Sequence, residues 1–79
     1  MEWILSSLND PEYRRLVDEL VEARLAARLS QTAFGKVIGR PQSFVSKYEH
    51  YVRRLDVIEY VRICGALDVD PISAIRSLI

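Results

Sequence analysis

Apolar residues recur three and four positions apart along most of this chain. Nowhere do they alternate strictly with polar residues between turn signals, so the pattern predicts an all-α chain. Asp10-Pro11 opens the first helix, because an aspartate can cap free N–H groups and a proline at the first helical position loses no needed donor. That helix is predicted to run to about Leu29, with Leu16, Leu20, Ala23 and Ala27 as its stripe and Val17, Val21 and Leu25 widening it. Its acidic residues lie towards the start and Arg24 and Arg28 near the end, which complements the helix dipole. Ser30 caps a second helix, Gln31 to Ile38, with Ala33, Phe34, Val37 and Ile38 facing inward and Gly39 placed to stop it. Gly35 inside that helix costs roughly 1 kcal/mol relative to alanine, which points to close contact with the next helix.

The turn Gly39-Arg40-Pro41 leads to a third helix, Gln42 to Glu49, with Val45 and Tyr48 inward and Gln42, Ser43, Ser46 and Lys47 outward. A loop from His50 to Leu55 follows. Asp56 then opens a fourth helix with Glu59 completing a capping box and Val57, Ile58, Val61, Cys64, Ala66 and Leu67 as the apolar set. Asp70-Pro71 repeats the first start signal and opens a fifth helix to about Leu78, striped by Ile72, Ile75, Leu78 and Ile79. Trp3, Ile4, Leu5 and Leu8 read as a short N-terminal helical arm. The expected organisation is a single domain over 1–79, with an arm over 1–9 and five compact helices over 10–79.

A chain of 79 residues supports one modest core. With 49% apolar and 28% charged residues it reads as globular rather than disordered. No apolar run approaches the roughly 18–20 residues that span a bilayer, so no membrane partner is expected. Met1 to Leu8 holds Glu2 and no basic residue, unlike a secretory signal. Cys64 is the single cysteine, which excludes an internal disulfide and fits a reducing, cytoplasmic setting.

Charge changes the picture more. The formal net charge is zero. Residues 24–54, however, carry Arg24, Arg28, Lys36, Arg40, Lys47, Arg53 and Arg54 against Glu49 alone, a net +6. The flanks are net acidic, −4 before and −2 after. A local basic face attracts nucleic-acid phosphates whatever the total.

The helix pair over 30–49 lies inside that basic block. Its first helix is too short to be stable alone, and its second exposes polar groups. In a helix-turn-helix the first helix crosses the DNA backbone and the second enters the major groove. Gln42, at the start of the third helix, suits a bidentate pair with adenine. Ser43 and Ser46 can bond bases or phosphate, and Lys47 can reach a guanine edge or a phosphate. Arg40, Arg53 and Arg54 suit backbone contacts that set register without reading sequence. Phe44 either touches a thymine methyl or packs under the turn.

These residues resemble the phage repressor and Cro type of helix-turn-helix, the Xre family. The resemblance covers about residues 12–78. It rests on Leu-Ser-Gln at 29–31, Gly39, Pro-Gln-Ser at 41–43, Val45, Lys-Tyr-Glu at 47–49 and Ala-Leu-Asp-Val-Asp-Pro at 66–71. It implies a repressor-like fold, with Gln31 as a phosphate clamp that supports Gln42, and Gln42, Ser43 and Lys47 as base readers. The family often has glycine two residues after the glutamate that ends the third helix; here Tyr51 stands there. Tyrosine is strained at positive φ, so a longer third helix or another loop path is expected.

Cys64 reads as a small buried hydrophobe, His50 as a solvated loop residue or phosphate neighbour, and the four tyrosines as core or rim aromatics. No nucleophile–base pair, phosphate-binding glycine loop or metal-ligand spacing appears, so no enzyme, cofactor or metal site is expected. The expected function is sequence-specific binding of double-stranded DNA as a transcriptional regulator, a homodimeric repressor on an inverted-repeat operator. Trp3, Ile4, Leu8 and the stripe of the fifth helix are the dimer-surface candidates; the alternative is that they complete the monomer core. The alternatives are an antitoxin, or a phage or restriction-modification control protein, that represses its own promoter and can bind a partner such as a toxin. An interaction module without DNA binding is a third reading. The setting expected is bacterial or phage-encoded, cytoplasmic and nucleoid-associated.

Overall fold

The computed structural model describes residues 10–79, and the arm expected over 1–9 lies outside them. Five helices follow in order: α1 (Pro11–Ala26), α2 (Gln31–Ile38), α3 (Gln42–Glu49), α4 (Val57–Leu67) and α5 (Pro71–Arg76). Local chemistry starts most of them. Asp10 accepts from the Glu12 and Tyr13 amides at 2.8 and 3.3 Å, Ser30 from Ala33 at 3.0 Å, and Asp70 from Ile72 at 2.9 Å. At α4 the expected capping box closes in both directions. The Glu59 amide donates to Asp56 at 2.7 Å and the Asp56 amide to Glu59 at 3.0 Å.

The joints depart from expectation. Helix α1 stops at Ala26 rather than Leu29, because Arg28 turns to φ 60° and releases the chain so that Ser30 can cap α2. Gly39 takes φ 72° where a left-handed stop was expected. Tyr51 also adopts the left-handed conformation, at φ 61°, so α3 is not lengthened. The tyrosine is held there by its neighbours: its hydroxyl donates to Asp18 and the Arg14 guanidinium lies 4.3 Å from its ring centre. Asp68, at φ 58°, ends α4, and α5 stops at Arg76 rather than Leu78.

The core is built from Val17 and Leu20 of α1, Phe34 of α2, Phe44, Val45 and Tyr48 of α3, and Tyr60, Ile63 and Cys64 of α4. Leu25, Val37, Val57, Ile58 and Val61, expected inside, are exposed. Helix α4 presents Tyr60, Ile63 and Cys64 to the core, a face rotated from the expected set, and α5 buries Ala74 while Ile72 and Ile75 stay outside. Cys64 is buried, and that burial pushes its thiol pKa up.

Candidate nucleic-acid interface

The angle between α2 and α3 is set by a missing side chain. A Cβ on Gly35 would lie 2.5 Å from the Arg40 carbonyl oxygen and 3.3 Å from the Pro41 carbonyl carbon. Only glycine lets the turn close this tightly, and the Arg40 amide seals it by donating to the Gly35 carbonyl at 2.8 Å. The close contact expected at Gly35 is therefore with the turn and the first residue of α3.

Helix α3 then lies with Val45, Tyr48 and Glu49 buried and with Gln42, Ser43 and Lys47 exposed; Ser46 is half-buried. Phe44 takes the packing alternative. It is buried, meets Tyr48 edge-to-face at 5.6 Å, and carries the guanidinium groups of Arg40 and Arg53 over its ring at 4.9 and 4.8 Å.

A chain of hydrogen bonds runs from the interior to the exposed start of α3. Arg24 donates to the Leu29 carbonyl at 2.7 Å and to both oxygens of Glu49, at 2.6 and 2.9 Å. The Gln31 amide nitrogen donates to Glu49 at 2.9 Å, and the Gln42 amide nitrogen donates to the Gln31 oxygen at 2.7 Å. The Arg24 and Glu49 side chains are only 9% and 5% exposed, so the pair stands largely outside solvent screening. The bond to Glu49 raises the Arg24 pKa.

Arg24 and Glu49 escaped the reading of the sequence. A signal existed, since Arg24 falls at i+7 and i+4 from Val17 and Leu20, on the stripe that α1 buries. Glu49, the one acid in the basic block, was its available partner.

The three loop arginines do not act alike. Arg53 forms a two-bonded pair with Glu59, 2.8 Å at each bond, and Arg40 lies 3.8 Å from the same carboxylate. Arg54 instead sits over the Tyr13 ring at 4.5 Å. Arg53 and the Asp56 amide hold the Glu59 carboxyl below the usual carboxylate range. The stabilisation from Glu59 is therefore present above about pH 4.3 and is lost as pH falls through the depressed value. Arg53→Ala is expected to lower stability by about 1 kcal/mol at neutral pH, with the difference from wild type shrinking in acid; urea unfolding at pH 7 and pH 3 measures both.

Two short helices joined by a glycine turn, the second presenting polar side chains, define a helix-turn-helix domain. Residues 20–72 match the helix-turn-helix family. A solved structure of an XRE-family like protein from Pseudomonas syringae pv. tomato str. DC3000 is 44% identical and superposes with a TM-score of 0.80, covering 90% of this chain and 87% of that one. The chain belongs to the Xre-type helix-turn-helix family, a family of DNA-binding regulators. None of the curated proteins matches it. Among the described residues, no helix is long and apolar enough to cross a membrane, and no group of three His, Cys, Asp or Glu could hold a metal.

Proposed function

We propose that this chain is a sequence-specific transcriptional regulator, a homodimeric repressor that lays α3 in the major groove, with residues 10–79 acting as one domain. The observation that carries the reading is the anchored bond between Gln31 and Gln42. A carboxylate only accepts, so Glu49 turns the Gln31 amide nitrogen inward and its oxygen towards Gln42. Gln42 must then spend one N–H on Gln31. What it keeps for DNA is one N–H and its carbonyl oxygen, the pair that adenine N7 and N6–H require. Guanine offers two acceptors, N7 and O6, and would need two donors.

Ser43, Ser46 and Lys47 extend this reading surface along α3. Gln31, beside Gln42, serves a phosphate. The Arg40 side chain is 47% exposed and suits a phosphate contact; Arg53 would have to share its guanidinium with Glu59. One eight-residue helix reads only a few base pairs, and two chains on an inverted repeat supply the rest. Val57 and Val61 of α4 and Ile72 and Ile75 of α5 are 75, 46, 61 and 43% exposed, which suits a surface for a second copy.

Selection from a random duplex library, with the mass of the bound complex, tests the proposal. An enriched inverted repeat with adenine at one fixed position per half-site, bound by two chains and weakening steeply with salt, is expected. Gln42→Ala should weaken the selected site by roughly 1–3 kcal/mol and relax that position. Equal losses on selected and random DNA would remove Gln42 from the base-reading set.

A further inference from the structure

We propose that His50 is a proton-dependent phosphate contact at the end of α3, so that DNA affinity rises as pH falls; this rests on the major-groove reading above. His50 is exposed and caps the C-terminus of α3. Its Nδ1 lies 2.8 Å from the Ser46 carbonyl oxygen and 3.4 Å from the Ser46 hydroxyl. The Ser46 carbonyl only accepts, so this contact is made by the Nδ1–H tautomer or by the imidazolium, and it holds the ring against the helix. Nε2 has no partner among the described residues.

Fixing Nδ1–H decides what Nε2 does. In the neutral ring Nε2 is an acceptor and has nothing to offer a phosphate oxygen. With a second proton it becomes a charged donor, the group that a phosphate takes best. Histidine is the side chain that makes this change between about pH 8 and pH 5. A cation there also complements the open carbonyls of the last turn of α3.

Its setting favours a DNA contact. His50 is seven residues from Ser43 and four from Ser46, two turns and one turn along the helix. It lines the same polar depression as Gln31, the phosphate clamp. From α1 this depression receives Arg14, Asp18 and Arg24, from α3 it receives Glu49, and beyond α3 it receives Tyr51. Glu49 is bound by Arg24, Asp18 accepts from the Tyr51 hydroxyl, and Arg14 covers the Tyr51 ring. Lys47 adds a fixed positive charge on α3 itself. His50 is the single histidine of the chain, so a pH profile isolates it.

The experiment measures binding of the full chain to the selected duplex and to a random duplex by fluorescence anisotropy. It is run at pH 5.5 and pH 8.0 over a series of salt concentrations, with wild type and His50→Gln. For wild type, affinity is expected to rise several-fold at pH 5.5 on both duplexes, and the salt slope to steepen by about 0.9, the value of one phosphate contact. His50→Gln should show neither change. Identical pH and salt behaviour in the two proteins, with selective binding intact at pH 8.0, overturns the role of His50 and leaves the regulator reading standing. Absence of DNA binding by wild type at both pH values overturns both.

Discussion

Arg24→Ala is expected to cost roughly 3–5 kcal/mol in urea unfolding, the usual result of stranding one member of a buried ion pair. Glu49 would be left in a largely dry site with only the Gln31 amide to answer it. A loss below about 1 kcal/mol would mean that water reaches Glu49. The double variant Arg24→Met with Glu49→Leu separates stability from readout. Replacing both charges by apolar groups of similar size often restores stability, so the double variant should unfold within about 1–2 kcal/mol of wild type. It should nevertheless lose its preference for adenine under Gln42, because Gln31 no longer has a carboxylate to orient it. Binding selection on the double variant measures this directly.

Gly35→Ala carries the second large effect. Alanine favours a helix interior by about 1 kcal/mol over glycine, so propensity alone predicts stabilisation. The added Cβ would meet the Arg40 carbonyl oxygen at 2.5 Å, and that atom is backbone and cannot swing away. Overpacking against fixed neighbours costs about 1–3 kcal/mol, and relief comes only by moving the turn and α3 away from α2. Gly35→Ala should therefore unfold more easily and also lose DNA affinity, since the Gln42 amide retreats from Gln31. Gly65 is the internal control. It too lies inside a helix, with nothing within 4 Å of its added Cβ, so Gly65→Ala should gain up to about 1 kcal/mol. Stabilisation by both substitutions would show that the α2–α3 crossing tolerates a methyl group.

The positions of the five helices were legible because their starts are local. Asp10-Pro11, Ser30, Asp56 with Glu59, and Asp70-Pro71 each satisfy amides two or three residues away, and such chemistry can be read from neighbours alone. The ends of α2 and α3 were legible, whereas α1 and α5 stop short of the expected Leu29 and Leu78. Arg28, Tyr51 and Asp68 take left-handed conformations without being glycine. Tyr51 does so with its hydroxyl bonded to Asp18, thirty-three residues earlier. The inward face of α4 was misjudged for a related reason. Its apolar residues cover more than one face, and the packing of α1, α2 and α5 decides which of them is buried.

The reading surface divides in the same way. The exposure of Gln42, Ser43 and Lys47 was legible because a polar face on a short helix after a glycine turn is visible in the pattern; Ser46, expected outward with them, is half-buried. The frame beneath them was signalled only by the place of Arg24 on the buried stripe of α1, because its central bond joins residues twenty-five positions apart. The two arginines over Phe44 likewise owe their places to Glu59, which the sequence presents first as a capping residue.

The hydrogen-bond chain from Arg24 to Gln42 divides α3 into two parts with different rules of change. Glu49 gives the chain its direction, and an amide that could otherwise face either way faces only one. Ser43 and Lys47 make no hydrogen bond to that chain, and both residues are exposed. On the proposed reading they are interchangeable letters on a fixed stem. New side chains there would then give a new operator without disturbing the adenine position, whereas a change at the inaccessible Glu49 would alter the grammar of the whole helix.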